Sequence, residues 1–91
     1  MTGKIEFSYA VPINKCGIII GKGGETIKHI NALTGCHCEL DRRNPGTDSE
    51  KYFILRGTPE QVEHAKRVFS EKLGTPMVSF YFNHINKRFI L

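Results

Sequence analysis

Apolar and polar residues alternate at the start of the chain, as they do along a strand with one buried face. In "KIEFSYAV", residues 4–11, the apolar side chains fall on one side: Ile5, Phe7, Tyr9 and Val11. This period of two predicts a β-strand. Pro12 is predicted to end the strand, because proline has no N–H to donate to a neighbouring strand.

Helical spacing replaces the alternation after Pro12. Asn14 is predicted to cap a short helix that runs through Cys16 to Ile20 and stops at the glycines from Gly21 onward. A second helix is predicted directly after "GKGG", with one apolar face and a glycine stop: Ile27, Ile30, Leu33 and then Gly35. Two helices are therefore expected to flank a glycine turn.

Two further strands are predicted beyond the second helix. "CHCELDRR" alternates, with Cys36, Cys38 and Leu40 on one face and His37, Glu39 and Asp41 on the other. "NPGTDSE" reads as a polar loop, and "KYFILR" as a strand of β-branched and aromatic residues. We expect Phe53 and Leu55 to be buried, which leaves Tyr52 and Ile54 in an outward apolar patch that either packs within the chain or binds a partner.

The last helix carries the clearest end signals. "TPEQ" places Thr58 at the N-cap, Pro59 at the first helical position and Gln61 where a capping box needs its side chain. An apolar stripe follows before Gly74: Val62, Ala65, Phe69 and Leu73. The element order predicts one α+β domain over residues 4–74, and residues 75–91 form a C-terminal extension to which the pattern assigns no role.

Composition adds a basic balance to this picture. The chain has 91 residues, 40% of them hydrophobic, which is enough for one compact core. Lys and Arg number 13 against 9 Asp and Glu, and the formal net charge of +4 favours polyanionic partners without requiring one. No apolar run reaches the roughly 20 residues of a membrane span, and the N-terminus lacks the regions of a secretory signal. We expect an intracellular protein, nuclear or cytoplasmic, with no membrane role.

The cysteines do not form a recognisable metal or disulfide pattern. Three cysteines are an odd number, and we interpret them as reduced thiols. Cys36-His37-Cys38 resembles a ligand cluster, but alternation along a strand places His37 opposite the two cysteines, and Cys-x-x-Cys spacing is absent. We therefore predict no metal, no cofactor and no catalytic Cys and His pair.

The stretch "GIIIGKGGETIKHI", residues 17–30, carries the strongest candidate chemistry. The phosphate-binding loop of nucleotide hydrolases needs four residues before its Gly-Lys, whereas only three separate Gly17 from Gly21. The dinucleotide fingerprint needs a third glycine where Thr26 stands, and it needs a preceding strand, whereas a helix is predicted here. Both enzyme motifs fail, and we predict a protein that is not an enzyme.

A glycine turn between two helices suits a polyanion better than a mononucleotide. Glycines without Cβ atoms allow another backbone to approach, with amide N–H groups exposed to it. Lys22 and the N-terminus of the helix that begins near Glu25 add positive charge at the same place. The alternative is a plain glycine turn that holds no ligand.

These residues resemble the type I K-homology (KH) domain, whose Gly-x-x-Gly loop clamps the backbone of about four nucleotides. "VPINKCGIIIGKGGETIKHINALTGCHCEL" matches the family signature nearly throughout, and "YFILRGTPEQVEHAKRVFSEKLG" is most similar to the KH repeats of the far-upstream-element-binding and splicing-regulator group. The resemblance covers roughly residues 7–74. It implies a three-stranded antiparallel sheet packed on three helices, in the order β-α-α-β-β-α.

The resemblance also implies which residues form the site. Gly21 and Gly24 would frame the loop, and Lys22 and Gly23 would be its variable pair. The apolar floor of the groove would be lined by Gly17, Ile20, Ile27 and Leu40. Lys51 matches a basic position of the family that often reaches base edges or phosphates. The charge pattern, and not the resemblance, adds Arg42 and Arg43, which either extend a basic rim along the strand or belong to a solvated loop.

The leading hypothesis is a module that binds single-stranded RNA or DNA without covalent chemistry. The resembled group suggests U-rich or T-rich targets, in RNA processing or gene regulation. The alternative is a KH-fold module for protein interaction or dimerisation, acting through the C-terminal extension or the outer face of the sheet. The sequence does not decide between RNA and DNA, because that choice depends on contacts to the 2′-hydroxyl.

Overall fold

The sheet has three antiparallel strands, as the resemblance implies. The computed structural model describes residues 3–75 of the chain. The strands lie in the order β1-β3-β2, where β1 is Ile5–Pro12, β2 is His37–Leu40 and β3 is Glu50–Gly57. Because β3 lies in the middle, β1 and β2 each keep one open edge. The residues of the extension after Thr75 lie outside the described part of the chain.

Three α-helices pack on one face of this sheet: α1, Cys16–Ile20; α2, Glu25–Thr34; and α3, Pro59–Leu73. Short 3-10 turns, Ile13–Lys15 and Lys22–Gly24, precede α1 and α2. None of the helices between residues 3 and 75 has the length and apolar character that a membrane crossing requires.

The prediction that Asn14 caps the first helix is wrong. Asn14 lies inside the first 3-10 turn, Lys15 occupies the N-cap position of α1, and no side chain caps this helix. The 3-10 turn runs directly into α1, and the N–H of Cys16 donates to the carbonyl of Ile13. The turn therefore supplies a backbone acceptor at the point where a capping side chain is usually needed.

The start of α3 has the predicted capping box. The Thr58 hydroxyl accepts from the Gln61 N–H at 3.2 Å, and Gln61 Oε1 accepts from the Thr58 N–H at 3.0 Å. The same Gln61 amide lies against two glycines: a Cβ on Gly35 would stand 2.7 Å from Nε2, and a Cβ on Gly57 would stand 2.7 Å from Oε1. The cap therefore also joins the end of α2 to the end of β3.

The core lies between the sheet and the helices. Its largest buried side chains come from all layers: Phe53, Phe69, Ile19, Ile30, Leu55 and Val11. The Phe53 and Phe69 rings meet nearly at right angles, with centroids 5.6 Å apart. The predicted apolar stripe of α3 is confirmed as buried: Val62, Ala65, Phe69 and Leu73.

Two apolar positions differ from the expectation. Leu33 is 54% exposed, and α2 instead buries Ile30 together with Thr34. The Thr34 hydroxyl donates to the Ile30 carbonyl at 2.8 Å and accepts from the Cys36 N–H at 3.1 Å, so this polar group is buried with its hydrogen bonds made. On β3, Phe53 and Leu55 are buried as predicted, but Ile54 is buried too, because β3 is flanked on both sides by other strands.

Candidate nucleic-acid interface

The turn between α1 and α2 is built from glycines with positive φ angles. Gly21 has φ 75° and ψ 174°, a region that residues with a Cβ rarely adopt. A Cβ on Gly21 would collide with the Thr26 hydroxyl, so Gly21 packs against α2 itself. Gly23 and Gly24 also have positive φ, at 63° and 78°, but a Cβ on either would meet no heavy atom within 4 Å.

Gly23 and Gly24 therefore leave open space beside the turn. The Lys22 side chain is exposed and forms no ion pair or hydrogen bond within residues 3–75, whereas the Lys22 carbonyl accepts from the Glu25 N–H. Helix α2 begins at Glu25, and the positive end of its dipole lies at this turn. The turn lets a ligand approach its backbone closely, and the Lys22 ammonium and the N-terminus of α2 add positive charge there. Together these features favour the binding of a sugar-phosphate backbone.

Three of the predicted groove residues are partly buried side chains that pack on the core. Ile20 at the end of α1, Ile27 on α2 and Leu40 at the end of β2 all pack against the buried cluster. Each keeps part of its apolar surface accessible. Gly17 is exposed on α1, and a Cβ there would meet no heavy atom within 4 Å.

The open edge of β2 is partly occupied by a side chain of α2. Asn31 Nδ2 donates to the carbonyl of Cys38 at 3.3 Å, and Asn31 Oδ1 accepts from the Cys38 N–H at 2.9 Å. The Asp41 N–H donates to the carbonyl of Tyr52 on β3 at 2.8 Å. In an antiparallel pair, alternate residues face the partner strand. The N–H and C=O of Leu40 therefore point away from β3, toward the open edge.

A shallow cavity of about 220 Å³ brings Leu40 together with both predicted cations. Arg42 and Lys51 line it, beside Asp41, Asn44 and Pro45. Arg42 is exposed, Lys51 is half-buried, and neither forms an ion pair among residues 3–75. The cavity offers apolar contact, two free cations and an open strand edge within one small volume.

Asp41 holds the loop that carries Arg42. Its Oδ1 accepts from the N–H groups of Arg43 at 3.0 Å and Asn44 at 3.3 Å, which satisfies the carboxylate within its own turn. The Arg43 guanidinium lies 3.9 Å from the same carboxylate oxygen. Asp41 therefore orders the rim of the cavity, and its charge is already compensated there.

The sequence pattern missed Asn31, Asn44 and Pro45. An asparagine inside a helix carries no signal of its own, because its role depends on β2 lying beside α2. Asn44 and Pro45 were recognised as loop residues, and "NPG" at positions 44–46 signals a turn but not its place beside Leu40.

The cysteines contribute no exposed thiol to this interface. Cys16, Cys36 and Cys38 are free thiols, all buried. Burial raises the pKa of each thiol, and Lys51 partly opposes this effect at Cys16. Among residues 3–75, no group of three or more His, Cys, Asp or Glu side chains is placed to hold a metal ion.

Comparison with known proteins gives one consistent family. The KH domain family model matches residues 6–71. The chain is 43% identical over 74 residues to human far upstream element-binding protein 2, covering 79% of this chain and 10% of that protein. It is 46% identical over 78 residues to rat far upstream element-binding protein 1, covering 82% of this chain and 12% of that protein. The chain thus spans about a tenth of the length of these relatives.

A third relative and a solved structure extend the comparison. Human RNA-binding protein Nova-2 is 34% identical over 64 residues, which cover 69% of this chain and 13% of that protein. The solution structure of the first KH type I domain of human Vigilin superposes with a TM-score of 0.62 and 21% identity, covering 79% of this chain and 73% of that one. The Vigilin likeness concerns the fold alone. The chain belongs to the KH domain family, and its fold is that of a type I KH domain.

Proposed function

We propose that this domain binds single-stranded RNA or DNA in the groove between the glycine turn and the open edge of β2, holding about four nucleotides. The observation that carries the proposal is the open space beside Gly23 and Gly24, in the turn that joins the two helices carrying Ile20 and Ile27. Membership in the KH domain family supports it, as does the similarity to a protein named as RNA-binding, Nova-2. The domain is taken as residues 4–74.

The sugar-phosphate backbone lies against the glycine turn. Gly21 fixes the shape of the turn through its contact with Thr26, and Gly23 and Gly24 leave room for the backbone of another chain. Lys22 and the N-terminus of α2 supply positive charge for a phosphate. Gly17 has open space beside its α-carbon, which lets the bound nucleic acid continue along α1.

The bases lie on the apolar floor. Ile20, Ile27 and Leu40 offer van der Waals contact to any base, and the open N–H and C=O of Leu40 offer one donor and one acceptor to a base edge. Arg42 and Lys51 line the cavity at this end and reach a phosphate or a base edge. The groove thus separates sequence-independent contacts at the turn from base contacts at the strand.

Family membership supports a proposal for the wider role. We propose an intracellular, non-enzymatic module in the nucleus, the cytoplasm or both, with U-rich or T-rich targets. Four nucleotides in one groove give modest affinity, and linked binding modules raise the overall affinity roughly 10² to 10⁴-fold when they bind together. Because the chain covers about a tenth of its relatives, such linkage in a longer parent protein is part of the proposal.

A titration of the isotope-labelled 91-residue chain with short U-rich and T-rich oligonucleotides, followed by amide chemical shifts, tests the proposal. We expect shifts at residues 17–27 and at Leu40, Arg42 and Lys51. The Lys22→Asp, Gly23→Asp double variant opposes a phosphate with negative charge and should abolish them. An absence of shifts in the wild-type chain would contradict the proposal and favour a protein-interaction module.

A matched control keeps the test specific to the turn. Lys72→Asp with Gly74→Asp makes the same change in net charge at the C-terminal end of α3, and Gly74, like Gly23, has positive φ with open space around it. The control should retain the shifts. If both double variants lose binding equally, overall charge and not the glycine turn determines the affinity.

A further inference from the structure

The open edge of β1 presents a row of backbone groups that no partner in the sheet uses. The Ile13 N–H donates to the Ser49 carbonyl at 2.9 Å. Because alternate residues of an antiparallel strand bond to the partner strand, this bond fixes which residues of β1 point their N–H and C=O groups toward β3. With the β1–β3 register, the residues that face β3 are Ile5, Phe7, Tyr9 and Val11. The N–H and C=O groups of Glu6, Ser8 and Ala10 therefore point outward from the sheet.

An apolar patch formed by Ile5 and Phe7 lies beside this edge. Ile5 is 43% exposed and Phe7 is 37% exposed, on the face of β1 that looks toward α3. The ring centroids of Phe7 and Tyr9 are 6.3 Å apart. The Lys66 ammonium lies over the Phe7 ring, 4.2 Å from its centroid. Exposed apolar side chains beside an open strand edge are the usual setting for the addition of a further strand.

A cavity of about 310 Å³ lies between this apolar patch and the end of the described chain. Phe7, Tyr9 and Pro12 line it from β1, and Leu73 and Thr75 line it from the end of α3. The Lys15 ammonium donates to the Leu73 carbonyl at 3.1 Å, and the Thr75 N–H donates to the Ser70 carbonyl at 3.0 Å. These bonds direct the chain out of α3 at the Pro12 end of β1.

The next residues of the chain have the composition that this edge requires. "MVSFYF", Met77–Phe82, contains no charge, and its Val, Phe and Tyr residues favour strands. Six residues of strand span about 20 Å, which is most of the length of the eight-residue β1. A chain that leaves at Thr75 and follows β1 toward Ile5 runs antiparallel to it.

We propose that Met77–Phe82 docks on the open edge of β1 as a fourth antiparallel strand. Its backbone takes up the outward N–H and C=O groups of Glu6, Ser8 and Ala10, and its aromatic residues cover Ile5 and Phe7. This surface lies at the opposite edge of the sheet from β2, so the inference is independent of the nucleic-acid proposal. It gives the C-terminal extension a place and removes one exposed edge.

Amide hydrogen exchange of the full 91-residue chain tests the docking. The outward amides of Glu6, Ser8 and Ala10 should exchange about 10-fold or more slowly than unprotected amides, at a rate independent of protein concentration. Exchange at the unprotected rate in the wild-type chain would overturn the proposal. Protection that grows with protein concentration would also overturn it, because it would assign the edge to a second copy of the chain.

A proline in the docking segment tests the identity of the occupant. Along the added strand, residues whose side chains cover Phe7 alternate with residues whose N–H groups bond to β1. Ser79→Pro and Phe80→Pro are therefore made as separate variants, so that one of them removes a bonded N–H without touching the described core, and Lys87→Pro is the matched control beyond the segment. We expect one of the two variants to return the three amides to fast exchange and Lys87→Pro to leave them protected. Protection that survives both variants would show that another group covers the edge.

Discussion

The side chain of Asn31 on α2 forms two hydrogen bonds with the backbone of Cys38 on β2, through Nδ2 and Oδ1. On β2, the backbone N–H and C=O groups of Cys38 and Leu40 point away from β3. Asn31 occupies those of Cys38, so only those of Leu40 remain available to the groove. It also fixes the distance between α2, which carries Ile27, and the strand edge. Asn31 thus sets the width of the proposed binding groove from a position that the sequence pattern did not indicate.

Replacement of Asn31 by Ala should therefore lower stability. The change leaves the Cys38 N–H and C=O without partners in a partly buried place, at a cost of about 1–3 kcal/mol in the free energy of unfolding. Urea denaturation measures it. Asn14→Ala is the control, because Asn14 is exposed and its side chain caps no helix. Equal stability of the Asn31 variant and the wild type would show that water replaces the lost bonds.

Gly21 and Gly23 should differ in their tolerance of Ala. Gly21→Ala combines a backbone conformation confined to glycine with a collision at Thr26, and should cost about 1–3 kcal/mol from the backbone strain alone. Gly23→Ala places its methyl group in open space and should cost only the left-handed conformation, about 1 kcal/mol. Thermal unfolding of the two variants tests the order, and a smaller loss for Gly21→Ala would refute it.

The buried thiols should make the protein sensitive to alkaline pH. Burial raises the pKa of Cys36 and Cys38 from the ordinary value of 9.0, so the folded state keeps its protons after the unfolded chain begins to lose them. This stabilisation is complete below pH 9 and decreases as the pH rises. Unfolding free energies between pH 7 and pH 10 should fall by about 1 kcal/mol or more per unit at the upper end.

A variant that lacks these two thiols and keeps Cys16 isolates the contribution of Cys36 and Cys38. The Cys36→Ala, Cys38→Val variant should be less stable at neutral pH but should lose much of the alkaline slope. If the slope is unchanged, groups other than Cys36 and Cys38 cause the alkaline loss. Slow alkylation of the folded wild-type thiols would agree with their burial.

The cations of the groove should contribute mainly electrostatic affinity. Lys51→Ala should weaken oligonucleotide binding and, if Lys51 contacts a phosphate, reduce the slope of log K against log salt by about 0.7. Arg42→Ala tests the other side of the same cavity. Arg67→Ala, an exposed cation on α3, is the control and should change neither quantity. Fluorescence anisotropy at several salt concentrations distinguishes a phosphate contact from a base contact.

Local signals predicted those parts of the fold whose causes are local. Thr58 and Gln61 lie three residues apart and cap each other, so the start of α3 could be predicted from four letters of sequence. The glycine turn was predicted for the same reason, because positive φ angles are a property of glycine itself. The burial of Ile54 could not be predicted, because it depends on β3 being the central strand.

The candidate site likewise has a part formed by residues close in sequence and a part brought together by packing. Its glycines and Lys22 form one continuous stretch, so the half that we propose to bind the nucleic-acid backbone could be inferred from the sequence and the family resemblance. Asn31, Asn44 and Pro45 join the site through the packing of α2, β2 and a loop. Their contribution depends on distances between elements, and a pattern along the chain does not contain those distances.

The Gln61 amide, held against Gly35 and Gly57, makes three distant positions of the chain depend on one another. A larger residue at either glycine would strike the amide 2.7 Å away and disturb the cap of α3. A shorter residue at position 61 would leave space at both glycines and remove the cap. During divergence of the family these three positions should therefore change together or not at all, and substitutions there should be inherited as a set.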